Sequence, residues 1–220
     1  MNFLSLCQAL RIEAGVSGTD NTVVNASGEW GSLVHWVSQA WRDIQLKHDN
    51  WNFMRATATF TTVADQMEYA YGGAEIALTD FSRWRKNSFR IYSTSVADEH
   101  FLDHMDYERF RDTFIFGSYQ NTSAYPSAIA VTPSDSLVLG LRPDTTYTVT
   151  GEYFKNVETM TVDADEPDMP ERFHMAIVWK ALERYGRFEE SSVIMKMAEH
   201  ELNRIMFALE GDELPRITRK

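Results

Sequence analysis

Cysteine is nearly absent: Cys7 is the only thiol in 220 residues. One thiol forms no intrachain disulfide, so synthesis in a reducing compartment is the simplest expectation. No stretch approaches the roughly 20 apolar residues needed to span a bilayer. The start, Met1-Asn2-Phe3-Leu4-Ser5-Leu6-Cys7, lacks a basic segment before its short apolar run and does not read as a secretion signal. These absences predict a chain made soluble in a cytoplasm, with no membrane partner. Cations are also scarce, 21 Lys and Arg against 32 Asp and Glu, for a net charge of −11. Affinity for nucleic acid comes mainly from Lys and Arg displacing counterions. No basic stripe is visible along the chain, so tight direct binding to DNA or RNA is disfavoured. An acidic surface still suits a passage through which DNA slides without sticking. Gly-rich phosphate loops, Gly-x-Ser-x-Gly elbows, Cys-x-x-Cys pairs, internal repeats and low-complexity tracts are all missing.

What is present is a well-supplied core. Hydrophobic residues make up 44% and aromatic residues 13% of the chain, including six Trp. Phe3, Leu6, Cys7 and Leu10 recur at steps of three and four, which predicts a helix over residues 2–14. Ser27 and Glu29 suit the start of a second helix. Its stripe is Leu33, Trp36, Val37, Ala40, Trp41 and Ile44, and it runs to about His48. From Arg55 the period changes to two. Strands are predicted from Arg55, around Met67–Tyr71, around Phe89–Tyr92, and over 127–132, 136–141 and 147–154. The charged, aromatic segment 104–116 reads as a short helix. The chain then returns to helix. Asp168 and Glu171 can form a capping box, with Pro170 in the first turn. The stripe of this helix holds Phe173, Ile177, Ala181 and Tyr185. A last helix from about Glu189 places Ile194, Met197, Ala198, Leu202, Ile205 and Leu209 on one side, and Gly211 is expected to end it. The expected fold is therefore α+β: an antiparallel α-helical bundle from residues 1–54 and 165–210, a β-rich insertion over 55–164, and a tail over 211–220.

Catalysis needs clustered acids, bases, nucleophiles or metal ligands. His100 and His104 are four apart and could share a helix face as zinc ligands do, with Asp103 and Asp106 nearby. No third or fourth ligand follows at a recognisable spacing, so a solvated polar face is the better reading. The run Asp163, Asp165, Glu166 and Asp168 lacks the central Gly and distal Glu of a calcium loop, which leaves a charged loop ahead of a helix. Cys7 reads as a small buried hydrophobe. Trp36, Trp41, Trp51 and Trp179 fit core or subunit contact better than ligand stacking. Glu183, Glu189 and Glu190 read as solvated. The chain is accordingly read as a non-enzyme, with no catalytic, cofactor or metal residue assigned.

Several segments together resemble a known family. They are Phe3-Leu4-Ser5-Leu6-Cys7-Gln8 with Glu13-Ala14-Gly15, and Trp36-Val37-Ser38-Gln39-Ala40-Trp41-Arg42-Asp43-Ile44-Gln45 followed by Trp51-Asn52-Phe53. Next come Ala130-Val131-Thr132-Pro133, Leu137-Val138-Leu139 and Tyr147-Thr148-Val149-Thr150-Gly151-Glu152-Tyr153. The last are Pro167-Asp168-Met169-Pro170-Glu171-Arg172-Phe173-His174 and Ala181-Leu182-Glu183-Arg184-Tyr185. In this order they resemble the head-to-tail adaptor (connector, head-completion) proteins of tailed bacteriophages, from residue 1 to about 210. The resemblance implies a structural virion protein forming a homo-oligomeric ring, commonly of twelve copies, at the virion neck. Such a ring joins the portal protein to a tail or nozzle protein, and DNA passes through it without specific binding. The pattern contains no catalytic residue and no cofactor. Another neck or tail-tube virion protein is the alternative. A metal-dependent enzyme using His100 and His104, or a small-molecule module on the insertion, stands further off.

A ring needs a head-to-tail interface that closes by rotation. Thirteen Phe, nine Tyr and six Trp exceed what one core of this size requires. Part of that surplus is expected to face neighbouring copies, with Trp30, Trp36, Trp41 and Trp179 as the interface candidates. Leu214, Pro215, Arg216, Ile217 and Arg219 are the portal-binding candidates, because tails of the family often reach the portal. Burying two aliphatic side chains contributes about 3–6 kcal/mol, whereas ordering the tail backbone costs roughly 10–20 kcal/mol. The tail is therefore expected to order only in the assembled particle, where multivalency helps.

Overall fold

The computed structural model of the protein describes residues 1–19 and 21–215. Among them lie five helices and nine strands. They fall into two compact units, Met1–Met54 with Val157–Lys220, and Arg55–Asn156.

In the first unit, α1 (Phe3–Glu13) buries Phe3, Leu6, Cys7 and Leu10. A helix start leaves backbone N–H groups unpaired. Here the Asn2 side chain accepts from Ser5 N–H at 2.9 Å. Phe3 and Leu4 donate to the Asp165 and Asp163 carbonyls at 2.7 and 3.3 Å. α2 (Gly28–Lys47) buries Trp30, Leu33, Val37, Ala40, Trp41, Ile44 and Gln45. α4 (Met175–Phe188) packs against α1, α2 and α5 (Ser192–Glu213). One apolar cluster joins all four helices. Each fully buried large aliphatic or aromatic side chain in it stabilises the unit by about 1.5–3 kcal/mol. Residues 157–164 belong to this unit as well. Met160 is buried in its cluster, and the buried Gln45 side chain bonds the Glu158 backbone on both sides, donating to O at 3.0 Å and accepting from N–H at 2.8 Å.

The second unit holds two sheets. The first has β1 (Arg55–Thr61) antiparallel to β9 (Thr148–Lys155) along its whole length. The other edge of β9 is shared by β4 (Arg90–Tyr92) and β3 (Phe81–Trp84), and β5 (His100–Phe101) extends from β4. The second sheet runs β2 (Glu68–Tyr69), β8 (Leu137–Gly140), β7 (Ala128–Val131), β6 (Asp103–His104), and its β6–β7 pair is parallel. Ala58, Phe60, Ile91, Val149 and Tyr153 from the first sheet, with Phe89 just ahead of β4, meet Ile129, Leu137 and Leu139 from the second. The alternate residues Ala128, Ala130 and Val138 point the other way, against Phe110 and Phe114. Phe110 comes from α3 (Tyr107–Phe110) and Phe114 from the π-helical turn Arg111–Ile115.

These findings correct the expected fold class. The helices do not form an antiparallel bundle set against a single β-rich insertion; they gather on α4. The middle segment carries two sheets, a helix of its own and a second apolar cluster, so the chain is mixed α+β. The physical reason lies in β7 and β8. A strand buried on both faces needs cover on both, and the segment 104–116 supplies it. That segment is not one helix. It begins as strand β6, makes one α-turn and ends in the π-helical turn. The sequence pattern also missed β3, where a register shift between Phe81 and Arg83 breaks the alternation. α5 continues through Gly211 to Glu213, because Gly211 does not take the positive φ that stops a helix and Leu214 N–H still reaches the Glu210 carbonyl at 3.2 Å.

Two glycines give opposite expectations. A Cβ at Gly151 would overlap the Phe89 ring, whereas nothing stands within 4 Å of one at Gly211. Gly151→Ala should destabilise the protein by about 1–3 kcal/mol through overpacking, and Gly211→Ala should stabilise it by about 0.5–1 kcal/mol through helix propensity. Urea unfolding midpoints of the two variants check both signs.

Candidate interaction surfaces

The helical unit carries a groove between α2, α4 and α5. Its floor includes Ile44, Leu202 and Met206, and its cavity volume is about 470 Å³. Ion pairs frame it. Asp43 binds Arg184 at 2.5 Å, Lys180 binds Glu183 at 2.8 Å, and Arg187 joins the same Glu183. Lys47 and His48 at the end of α2 both bind Glu210 of α5, at 2.8 and 3.0 Å. Glu183 is thus pinned between two cations rather than free in solvent. Burial alone would raise the Glu210 carboxyl, but the hydrogen bonds and charges of Lys47 and His48 hold it below the ordinary range. Glu183 is held low in the same way by Lys180 and Arg187.

The outer face of α5 is the second feature. Val193, Met197 and Phe207 lie along one side of the helix, at steps of four and ten residues, and are exposed, Phe207 at 82%. The opposite side, with Ala198, Leu202, Met206 and Leu209, is buried. Met197 therefore leaves the buried stripe in which its spacing had placed it. Phe188 at the end of α4 is also exposed, and its ring lies 5.4 Å from that of Trp36. Apolar residues off the main stripe of α5 were the signal for this face, and spacing alone did not separate them from the core.

The predicted interface tryptophans divide in two. Trp41 is fully buried, with its indole N–H on the Glu158 carboxylate at 3.3 Å. Trp30 is buried, with its N–H on the Thr22 carbonyl at 2.8 Å. Both are core residues of the helical unit. Trp36 and Trp179 are only partly covered. Among the tail candidates, Leu214 is half-buried against the helical cluster and Pro215 is exposed. Arg216, Ile217 and Arg219 lie outside the described residues.

The residues weighed for chemistry are not brought together. His100 and His104 do not share a helix face. They sit on β5 and β6, in different sheets. Burial, and then the Lys86 charge, push His104 below the usual imidazole range. Asp163 accepts from Val23 N–H at 2.6 Å, and Asp165 accepts from Thr161 and Val162 N–H at 2.6 and 2.9 Å. Those two backbone bonds hold the Asp165 carboxyl low. The acidic loop is thus a backbone staple over α1. Cys7 is buried, and desolvation, aided by Asp163, pushes its thiol far up. No group of three or more metal-ligating side chains occurs among the described residues. No helix there is long and apolar enough to cross a membrane.

A family model described as SU10 adaptor protein matches residues 1–216. No curated protein matches the chain. The chain belongs to the SU10 adaptor protein family, a phage head–tail adaptor family, which makes it a structural virion component that meets other head and tail proteins.

The carboxylates give a pH expectation. Glu210, Glu183 and Glu152 are all held below their ordinary value of 4.5. A depressed carboxylate stabilises the fold fully above its unfolded pKa, and that stabilisation is lost as pH falls through the lower folded value. The urea midpoint should therefore be level above about pH 5 and fall as the pH drops below about 4. Glu210→Gln should lower the midpoint at neutral pH and flatten the acid limb.

Proposed function

We propose that this phage adaptor assembles as a homo-oligomeric ring of twelve copies at the virion neck, joins the capsid portal to a tail or nozzle protein, and surrounds the DNA passage. The family match over residues 1–216 carries the reading. Its mechanism is assembly, without a chemical step. The subunit is made soluble in the host cytoplasm and docks at the vertex after packaging.

The exposed apolar face of α5 supports self-association. Large exposed apolar patches on soluble proteins mark contact sites, and stable assemblies bury on the order of 2,000 Å² or more per interface, enriched in aromatic residues. Val193, Met197 and Phe207, with the neighbouring Phe188 and Trp36, form the hydrophobic centre of one side of a head-to-tail interface. Trp179 contributes from α4. Trp30 and Trp41 act from within, by fixing α2. Leu214 and Pro215, continuing into Arg216, Ile217 and Arg219, make the portal contact, with two aliphatic side chains to bury and cations to pair.

Mass measurement of the protein, alone and mixed with purified portal, tests this. The wild type should add to the portal as a closed ring. Phe207→Asp and Val193→Asp should keep the wild-type unfolding midpoint and weaken ring formation by roughly 30-fold or more, the range of a buried hot spot. Both variants joining the portal at wild-type stoichiometry would overturn the interface. Particles that lack the protein yet retain their genome and acquire tails would overturn the function.

A further inference from the structure

β1 is a long strand with only one of its two sides in use. Its ladder with β9 runs from Arg55–Phe154 to Thr61–Thr148 without a shift in register. No described strand lies beyond β1 in its sheet. Residues of an antiparallel ladder alternate between those that bond the neighbour and those that turn their N–H and C=O away from it. Two observations fix the phase here. Thr62, the next residue after β1, donates its N–H to the Tyr147 carbonyl at 2.8 Å. Glu152 of β9 has both backbone groups on the side away from β1. Its N–H donates to Ser88 Oγ at 2.9 Å, and its carbonyl accepts from Arg85 N–H at 2.9 Å. The residue opposite Glu152 on β1 is Thr57. Ala56, Ala58 and Phe60 therefore bond β9, while Thr57, Thr59 and Thr61 turn their backbone groups outward. All three threonines are exposed.

An open edge is a template for another strand, and proteins blunt their edges with short strands, bulges, Pro or charge. β2, β5 and β6, at the other sheet margins, have two residues each. β3 carries a register shift. β1 has seven residues, an unbroken register, no Pro and no charge after Arg55. Among the described residues, only another β1 matches this edge in length. The edge is also complementary to itself. A second β1, turned antiparallel about Thr59, sets Thr59 against Thr59 and Thr57 against Thr61. These are outward pairs, and each exchanges backbone hydrogen bonds. The side chains that meet on the exposed face are then all Thr, and opposed threonines stabilise a strand pair. The two Arg55 side chains fall at opposite ends, so like charges do not meet. We propose that the free subunit pairs with a second copy through the outer edge of β1, making one sheet continuous across a twofold axis. Such a contact is isologous and closes after two copies. It is distinct from the head-to-tail contact of a ring and does not depend on it.

The test follows the full chain at low and high protein concentration, by mass and by hydrogen exchange resolved to single amides. At low concentration the amides of Thr57, Thr59 and Thr61 should exchange fast, and those of Ala58 and Phe60 slowly. At high concentration a dimer should form, and the three threonine amides should slow with it. Thr59→Pro removes an outward N–H at an edge position, where Pro is tolerated. It should keep the wild-type circular dichroism spectrum and weaken dimerisation by about tenfold or more. Thr59→Lys keeps that N–H but sets like charges opposite each other. It should weaken dimerisation at low salt and recover part of it at high salt, where the charges are screened. Fast exchange of the three threonine amides at high concentration would overturn the proposal, whatever the mass. Slow exchange already at low concentration would overturn it too, because the edge is then covered within the chain. So would a dimer that both variants leave at wild-type strength, which assigns the contact to another surface.

Discussion

The antiparallel pairing of β1 with β9 is the constraint on which the rest of the structure depends. The chain leaves the helical unit after Met54 and returns to it at Val157. Pairing from Arg55–Phe154 to Thr61–Thr148 brings the two ends of that excursion side by side. Closing so long a loop costs entropy, but the cost grows only logarithmically with length. Seven residue pairs in one ladder, with Ala58, Phe60, Val149 and Tyr153 in its core, offset it. Once the ends are adjacent, α1 and α2 can share a core with α4 and α5 although all of Arg55–Asn156 lies between them in sequence. The central position of β9 follows too. β1 occupies one edge fully, so β3 and β4 must divide the other between them.

The helical core was legible because its signal is redundant. α2 was bounded at both ends by Ser27 and Asp49-Asn50, and its stripe from Leu33 to Ile44 has a single consistent period. β1 was legible for the same reason, with seven residues alternating without a break. What stayed hidden was short or context-dependent. β3 has four residues and a bulge, and β5 has two. His104 and Phe116 bracket a segment with helical composition, yet its start is recruited as strand because β7 needs a neighbour at Asp103 and His104. Tertiary pairing overrides local preference at such places. Gly211 looked like a stop, but a glycine stops a helix only where the backbone turns left-handed, and at this position it does not.

Charge is distributed unevenly along the chain. A whole-chain sum is an average, and the cations are not spread evenly. The segment from Phe81 to Tyr92 holds four of them and no acid, while the acidic loop from Asp163 to Asp168 holds the opposite extreme. The acids of that loop do not act mainly as surface charge. Asp163 and Asp165 accept backbone N–H groups, and their carbonyls cap α1. Acids of this run are thus used as hydrogen-bond acceptors for the backbone, while Arg85 and Arg90 pair with Glu152 and Glu99.

The aromatic surplus shows how a composition argument fails at the level of residues. A chain with one core would need fewer than the 28 Phe, Tyr and Trp present here, so the excess seemed destined for partner subunits. Among the described residues there are three apolar clusters instead of one. Small separate cores have more boundary for their volume, and large rings with one polar tip close such boundaries well. Trp30, Trp41, Trp51 and Trp84 are all buried, and each indole N–H finds a carbonyl or carboxylate. Tyr147 and Tyr153 give their hydroxyls to Asp144 and Asp80. The strongly exposed apolar side chains of the helical unit include Ile12, Leu46, Phe188, Val193 and Phe207, groups with no polar tip to satisfy. Trp30 and Trp41 are needed inside the helical unit, whereas Val193, Met197 and Phe207 stay exposed on the face of α5 opposite its buried stripe.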